Sequence, residues 1–211
     1  MFSLVIQAGG KSERMGEDKA LKLFLGRPLI QHVIERLAPL ADEILVTTNR
    51  PDDYAFLADS KVSRLWNPRL VSDLAPGRGP LGGLYTAIAS ATLPIVAVVA
   101  CDMPFASAAL LETATRLLVQ EDADVVIAKT DEGYEPFHAV YRRATCVPAI
   151  KSAIDSDLWK VIAWFPSVKV RALTRAEIAE SDPSGLCFWN VNTPEEFTEA
   201  EKLALKSQEK K

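Results

Sequence analysis

Short apolar runs rich in valine and isoleucine recur along the chain: "FSLVI" at 2–6, "EILVTT" at 43–48, "IVAVVA" at 95–100 and "DVVIAK" at 124–129. The run at 95–100 is apolar throughout, as expected of a central parallel strand covered on both faces. Between the runs the period becomes helical. In "PLIQHVIERLAPL", Leu29, Ile30, Val33, Ile34 and Leu37 form one stripe, and Pro28 suits a first helical turn. In "SAALLETATRLLVQ", Ser107 is placed to cap a helix whose Leu110, Leu111, Ala114, Leu117 and Leu118 share a face. Strand and helix alternate, which predicts an α/β class with a mostly parallel central sheet flanked by helices.

The second half is less regular. "FHAVYRR" at 137–143 alternates and predicts an antiparallel strand, and "VKVRAL" at 168–173 predicts another. "TPEEFTEAEKLA" reads as a helix with Thr193 as N-cap and Glu196 closing a capping box. A single domain over 1–205 is expected, with 206–211 as a frayed tail.

Composition narrows the function classes. The 211 residues are 48% hydrophobic and 25% charged, enough for one well-buried core. The net charge of -4 argues against nucleic acid as the main partner, because that requires a basic face to displace counterions. The longest apolar stretch, "LPIVAVVA" at 93–100, is far short of the roughly 20 residues that span a bilayer, so no membrane partner is expected. The N-terminal residues lack a secretory pattern, and a soluble cytoplasmic chain is expected. Cys101, Cys146 and Cys187 are too far apart for a zinc site and read as reduced, structural thiols.

In open α/β sheets, ligands bind beyond the carboxyl ends of the strands, so the residues just after each run carry the chemistry. The first such loop is "AGGKSERMG" at 8–16. Its Gly10-Lys11-Ser12 is not a P-loop, because Val5 stands where the first glycine of G-x-x-x-x-G-K-[ST] belongs. Gly9 and Gly10 still permit close approach of a ring or phosphate. Lys11, Arg14 and Lys19 add three cations, which predicts an anion site. The second loop, "ACDMP" at 100–104, carries Asp102 at the end of the most apolar run. A buried carboxylate needs a partner. Mg²⁺ bearing substrate phosphates is one candidate, and a helix cap near Ser107 or a lysine pair is the alternative.

The third loop, "SDLAPGRGPLGGLYTAI" at 72–88, opens a helix with four glycines, which presents backbone N–H groups to an anion or a base edge, or simply makes turns. Asp73 beside it could accept from a base or support the metal. Near the far end of the sequence, Asn190 and Asn192 lie two apart and project to one side of an extended backbone. Of the two histidines, His32 sits in a helical pattern and reads as structural, whereas His138 is a site candidate. Cations and a Mg²⁺ carboxylate are the groups phosphoryl transfer needs. An ionised phosphate oxygen attacking a nucleotide α-phosphorus requires no general base.

The stretches "AGGKSERMGEDKAL", "GRPLIQHV", "TTNR", "SDLAPGRGPLGGL", "ACDMP" and "NVNTPEE" together resemble the molybdenum cofactor guanylyltransferases, in family order from residue 7 to residue 197. The resemblance implies a Rossmann-like, glycosyltransferase-A-type nucleotidyltransferase. Such an enzyme uses Mg²⁺ to transfer GMP from GTP to the terminal phosphate of molybdopterin, with cofactor-biosynthesis or acceptor molybdoenzyme proteins as further partners. Carried over, it assigns Gln7, Ala8, Gly9, Gly10 and Asp73 to the nucleotide, Lys19 and Arg14 to its phosphates and Asp102 to the metal. Asn190 and Asn192 fall on the molybdopterin side, with Pro136 and His138. Two positions depart from the family: Gln7 stands where leucine is usual, and Thr47 where many members have asparagine, with Asn49 two residues on. The rival readings are transfer of CMP, or to another phosphorylated acceptor, and a non-catalytic nucleotide-binding protein. A sugar-nucleotide pyrophosphorylase is disfavoured by chain length.

Overall fold

The computed structural model describes residues 1–8, 18–58 and 66–208. In chain order the elements are β1 (Ser3–Gln7), the two-residue pair β2 (Leu23–Phe24) and β3 (Arg27–Pro28), α1 (Leu29–Leu37), β4 (Glu43–Thr47), β5 (Arg69–Val71), α2 (Gly79–Ser90), β6 (Ile95–Ala100) and α3 (Ala108–Gln120). They continue with β7 (Val125–Thr130), β8 (Gly133–Arg142), α4 (Arg143–Asp155), β9 (Val170–Leu173), α5 (Arg175–Ser181) and α6 (Pro194–Gln208). Tight 3-10 turns occupy Lys19–Leu21 and Pro51–Ala58.

The main sheet has seven strands in the order β5-β4-β1-β6-β8-β7-β9. β8 runs antiparallel to β6 and β7, and every other neighbouring pair is parallel. The sheet is thus mostly parallel, and the alternating segment at 137–143 supplies its one antiparallel strand. β7 turns directly into β8 at Thr130 and Gly133, which a short hairpin allows and a parallel pairing would not.

Side chains alternate across β1 and divide the core into two layers. Leu4, Ile6 and Ala8 pack with the buried stripe of α1 and with Leu110, Leu111 and Leu118 of α3. Val5 packs on the opposite face with Leu81 and Leu84 of α2 and Cys146 and Ile150 of α4. Ser107 caps α3 as its residue type suggests, accepting from Leu110 N–H at 3.2 Å. A smaller cluster of Phe24, Leu29, Val191, Phe197 and Ala200 fastens α6 to the β2–β3 pair.

The capping box of α6 is formed. Glu196 N–H donates to Thr193 Oγ1 at 3.1 Å, and Thr193 N–H to Glu196 Oε2 at 3.0 Å. The helix runs to Gln208, past the boundary at 205 expected from the sequence, with Lys206 in its last turn complementing the helix dipole. All three cysteines are free thiols. No helix among the described residues is long and apolar enough to cross a membrane.

After β1 the chain crosses to β4 and β5 on one side, then returns to β6 on the other. That reversal makes the crevice beyond the carboxyl ends of β1, β4 and β6 the topological switch point, where ligands of such sheets bind.

Candidate active site

The floor of the crevice extends the sheet by one rung. Ala8 N–H donates to the Thr47 carbonyl and Cys101 N–H to the Gln7 carbonyl, each at 3.0 Å. The last residues of three strands are therefore fixed relative to one another, and Asp102 follows one position later.

Lys19 projects from its 3-10 turn into this crevice. Its Nζ donates to Asn192 Oδ1 at 2.7 Å and lies 3.6 Å from Asp102 Oδ2. Only 15% of the lysine side chain and 21% of the aspartate side chain are exposed, so the pair is poorly screened. Burial pushes the Asp102 carboxyl above its usual value, and the Lys19 ammonium opposes that rise. The backbone holds the third member: Val191 N–H donates to the Asp102 carbonyl at 3.0 Å, bringing the 190–192 segment over the end of β6. Asn190 faces the same segment, its Nδ2 donating to the Phe188 carbonyl at 3.2 Å, and Asn192 Nδ2 reaches the Asn190 carbonyl at 3.3 Å.

Asp73 shapes the glycine-rich loop. Its Oδ1 accepts from Ala75 N–H at 2.9 Å and from the Thr86 hydroxyl at 2.7 Å, while Asp73 N–H donates to Asn49 Oδ1 at 2.9 Å. Gly77 and Gly79 have φ of +81° and +58°, the left-handed region in which glycine is strain-free, so these two glycines serve the turn itself. Arg78, the N-cap of α2, offers no side-chain cap to the helix. Its guanidinium instead bonds Asp157 at 2.6 Å and the Ile154 carbonyl and stacks 4.8 Å from the Trp159 ring, tying the loop to the end of α4. Gln7 lies under α2, where a Cβ on Gly83 would stand 3.0 Å from its Nε2. The carboxamide thus occupies space that glycine leaves open, at the wall of the crevice.

His138 is placed differently from the other candidates. It is 2% exposed, and its Nε2 accepts from Ser107 N–H at 2.9 Å. Burial lowers its pKa to about 4. Direct contact with a substrate, suggested from the sequence, does not suit a ring enclosed by β8, α3 and Phe188; holding the start of α3 does. Gly9, Gly10, Lys11 and Arg14 lie outside the described residues.

Three residues that the sequence reading passed over converge below Lys19. Asp18 Oδ1 accepts from Ala20 N–H at 3.1 Å, and Oδ2 accepts from the Tyr54 hydroxyl at 2.7 Å and from the Arg50 guanidinium. An aspartate just before a short turn is a capping signal, which could have marked Asp18. Nothing in the sequence joins it to Tyr54. Among the described residues no three His, Cys, Asp or Glu side chains cluster as a metal cage.

A parallel-stranded switch point that holds an ammonium against a strand-end carboxylate suits a nucleotide-handling transferase, and comparison with known proteins narrows the class. Residues 4–171 match the MobA-like NTP transferase domain, and the chain belongs to this family of nucleotidyltransferases. A molybdenum cofactor guanylyltransferase of Desulfosudis oleivorans is 32% identical over 198 residues, covering 93% of each chain. A probable molybdenum cofactor guanylyltransferase of Natronomonas pharaonis is 34% identical over 198 residues, covering 93% of this chain and 95% of its own. In fold, the chain is similar to the crystal structure of molybdopterin-guanine dinucleotide biosynthesis protein A from Archaeoglobus fulgidus, with a TM-score of 0.79 and 24% identity over 97% of this chain and 99% of that one.

Proposed function

We propose that this chain transfers GMP from GTP to the terminal phosphate of molybdopterin and releases pyrophosphate. The observation that carries the reading is the convergence of Lys19, Asp102 and Asn192 beyond the ends of β1 and β6, in a chain whose relatives are named for that activity.

An oxygen of the molybdopterin phosphate attacks the α-phosphorus of GTP. The new P–O bond forms as the bond to the bridging oxygen of pyrophosphate breaks, and that oxygen leaves with the electron pair. A phosphate monoester has a second pKa of about 6, so the attacking oxygen is already ionised and no side chain need remove a proton. Positioning and charge neutralisation remain as the tasks of the protein. Lys19 neutralises the phosphates. Ala8 and Gln7 line the nucleotide wall, the family resemblance assigns Gly9 and Gly10 to the nucleotide as well, and Asp73 holds the loop at α2. Arg14 adds a second cation. Asn190 and Asn192 face the acceptor, and His138 positions α3 from within.

Mg²⁺ fits Asp102, a carboxylate at the end of β6 whose side chain is 21% exposed and meets one ammonium at 3.6 Å, and whose pKa is raised by burial and only partly brought back by Lys19. Bound there, the ion would supply Lewis-acid stabilisation of phosphate charge. Asp102 would hold the ion, and Lys19 would share the neutralisation of phosphate charge with it.

The test is pyrophosphate release by the purified protein with molybdopterin, Mg²⁺ and each of the four nucleoside triphosphates. Turnover with GTP is expected; turnover with CTP but not GTP overturns the base assignment. Asp102→Ala is expected to lower kcat by at least about 10²- to 10³-fold, the size of losing one preorganised charge-stabilising group. Full turnover in that variant overturns the role of the carboxylate.

A further inference from the structure

We infer that Asp18 is a positioning residue for Lys19, held in place by Tyr54 and Arg50; the inference rests on the nucleotidyl-transfer reading and deepens it. The two residues are adjacent, so what fixes Asp18 fixes the backbone from which the lysine extends. Asp18 does this in two ways. Its carbonyl accepts from Leu21 N–H at 3.0 Å and Lys22 N–H at 3.2 Å, closing the turn, and its Oδ1 caps Ala20 N–H at 3.1 Å. Its Oδ2 is then gripped from a separate element, the Pro51–Ala58 turn and the residue preceding it, by the Tyr54 hydroxyl at 2.7 Å and the Arg50 guanidinium.

The surroundings argue for more than a local cap. Asp18 is only 11% exposed and Tyr54 fully buried, with the tyrosine hydroxyl 3.5 Å from the Ala8 carbonyl at the end of β1. Burial first, and then the bond to Asp18, push the phenol far above its ordinary value, so it stays a donor at every working pH. The network therefore runs from the end of β1 through Tyr54 and Asp18 to Lys19. A free carboxylate beside a triphosphate site would repel the ligand. Arg50 offsets that charge, and it is in turn paired with Asp53 at 3.3 Å.

Lysine has four rotatable side-chain bonds and loses rotamer entropy when held. In this site it is held at both ends, by Asp18 through the backbone and by Asn192 and Asp102 at the ammonium. A carboxamide at 18 keeps one acceptor oxygen but turns an N–H₂ group on either the Ala20 N–H or the two donors at Oδ2. Asp18→Asn is therefore no substitute. Tyr54→Phe removes one bond and leaves the buried ring packed, which makes it the variant least open to unfolding.

The experiment is a double-mutant cycle between position 18 and Lys19, with kcat, KM for the nucleotide, nucleotide Kd by calorimetry and thermal midpoint recorded for each protein. Asp18→Ala is expected to lower kcat about 10- to 100-fold, the cost of misplacing a catalytic group by an ångström or less, and Tyr54→Phe by a smaller factor. KM for the nucleotide should move less than kcat. In the Lys19→Met background, Asp18→Ala should cost less than about twofold further, because residues that act through one another are not additive. Multiplicative losses in that background, or full kcat in Asp18→Ala and Tyr54→Phe, overturn the inference. Losses that follow the thermal midpoint alone overturn it as well.

If the wild type turns over a nucleotide other than GTP, the base assignment fails and the cycle is run with that nucleotide. If it turns over none, the transfer reading fails and the cycle is read in Kd, where the same non-additivity is expected.

Discussion

His138 offers the sharpest quantitative test, because its environment fixes both a protonation state and a consequence. For Nε2 to accept from Ser107 N–H, the ring must be neutral with its proton on Nδ1, and Nδ1 itself is buried with no hydrogen-bond partner among the described residues. Burial lowers the pKa from 6.5 to about 4, with the charge of Asp182 acting in the opposite direction. The unfolded chain therefore binds more protons than the folded one between those two values. Stability is complete above about pH 6.5 and is lost as the pH falls toward 4. At 1.36 kcal/mol per pKa unit the total is about 3 kcal/mol, and about 2 kcal/mol of it falls between pH 7 and pH 5. Protonation also breaks the bond to Ser107, which closes the short loop that begins at Asp102. The loss should therefore be felt at the site as well as in the fold.

Urea unfolding followed by tryptophan fluorescence, at half-unit steps from pH 7.5 to 4.5, reads this effect when the wild type is compared with His138→Gln. Glutamine can offer an amide oxygen to Ser107 N–H but does not titrate. Carboxylate titrations are common to both proteins, so the difference between the two stability curves isolates the imidazole. The gap is expected to shift by about 2 kcal/mol in favour of the variant on going from pH 7 to pH 5. A gap that stays constant within about 0.5 kcal/mol, the scatter of additive sites, refutes the reasoning. The chain has two histidines, so imidazole proton resonances give a direct check: one ring must remain neutral at pH 5.

Two further expectations rest on other elements. The Glu177 carboxyl is held down at about 2, chiefly by its bond to Arg171, at 2.5 Å, and by the α5 capping box with Thr174. Its contribution is present above about pH 4.5 and lost as the pH falls toward 2; solvent screening limits it to about 1 kcal/mol, and Glu177→Gln should flatten that part of the acid-unfolding curve. Gly82→Ala would set a Cβ 2.5 Å from the Ala75 carbonyl oxygen, so the loop must move. A cost of about 1–3 kcal/mol in urea unfolding and a raised KM for the nucleotide are expected, and an unchanged KM would detach this loop from nucleotide binding.

What the sequence disclosed depends on the range of the physics involved. The stripe of α1 and the apolar run of β6 are local records of burial, and both could be read directly because a side chain's period reports the face that is covered. The alternation at 137–143 likewise announced β8, but not its place between β6 and β7, since strand order is decided by which helices cover which face. The same limit operates at the site. Asp102 could be recognised as a strand-end carboxylate and Lys19 as one of the cations that follow the first strand, yet Lys19 meets Asn192 across 173 residues, a contact that only the closed fold creates. Asp18, Arg50 and Tyr54 stayed hidden for a different reason. In the one-dimensional pattern a charged residue is by default a solvated one. Only the burial of Tyr54 turns Asp18 from a surface charge into a bonded group. Gln7 shows that limit from the opposite direction: a polar residue closing an apolar strand looks like the start of solvent, but α2 covers it at Gly83, so its carboxamide becomes part of a wall.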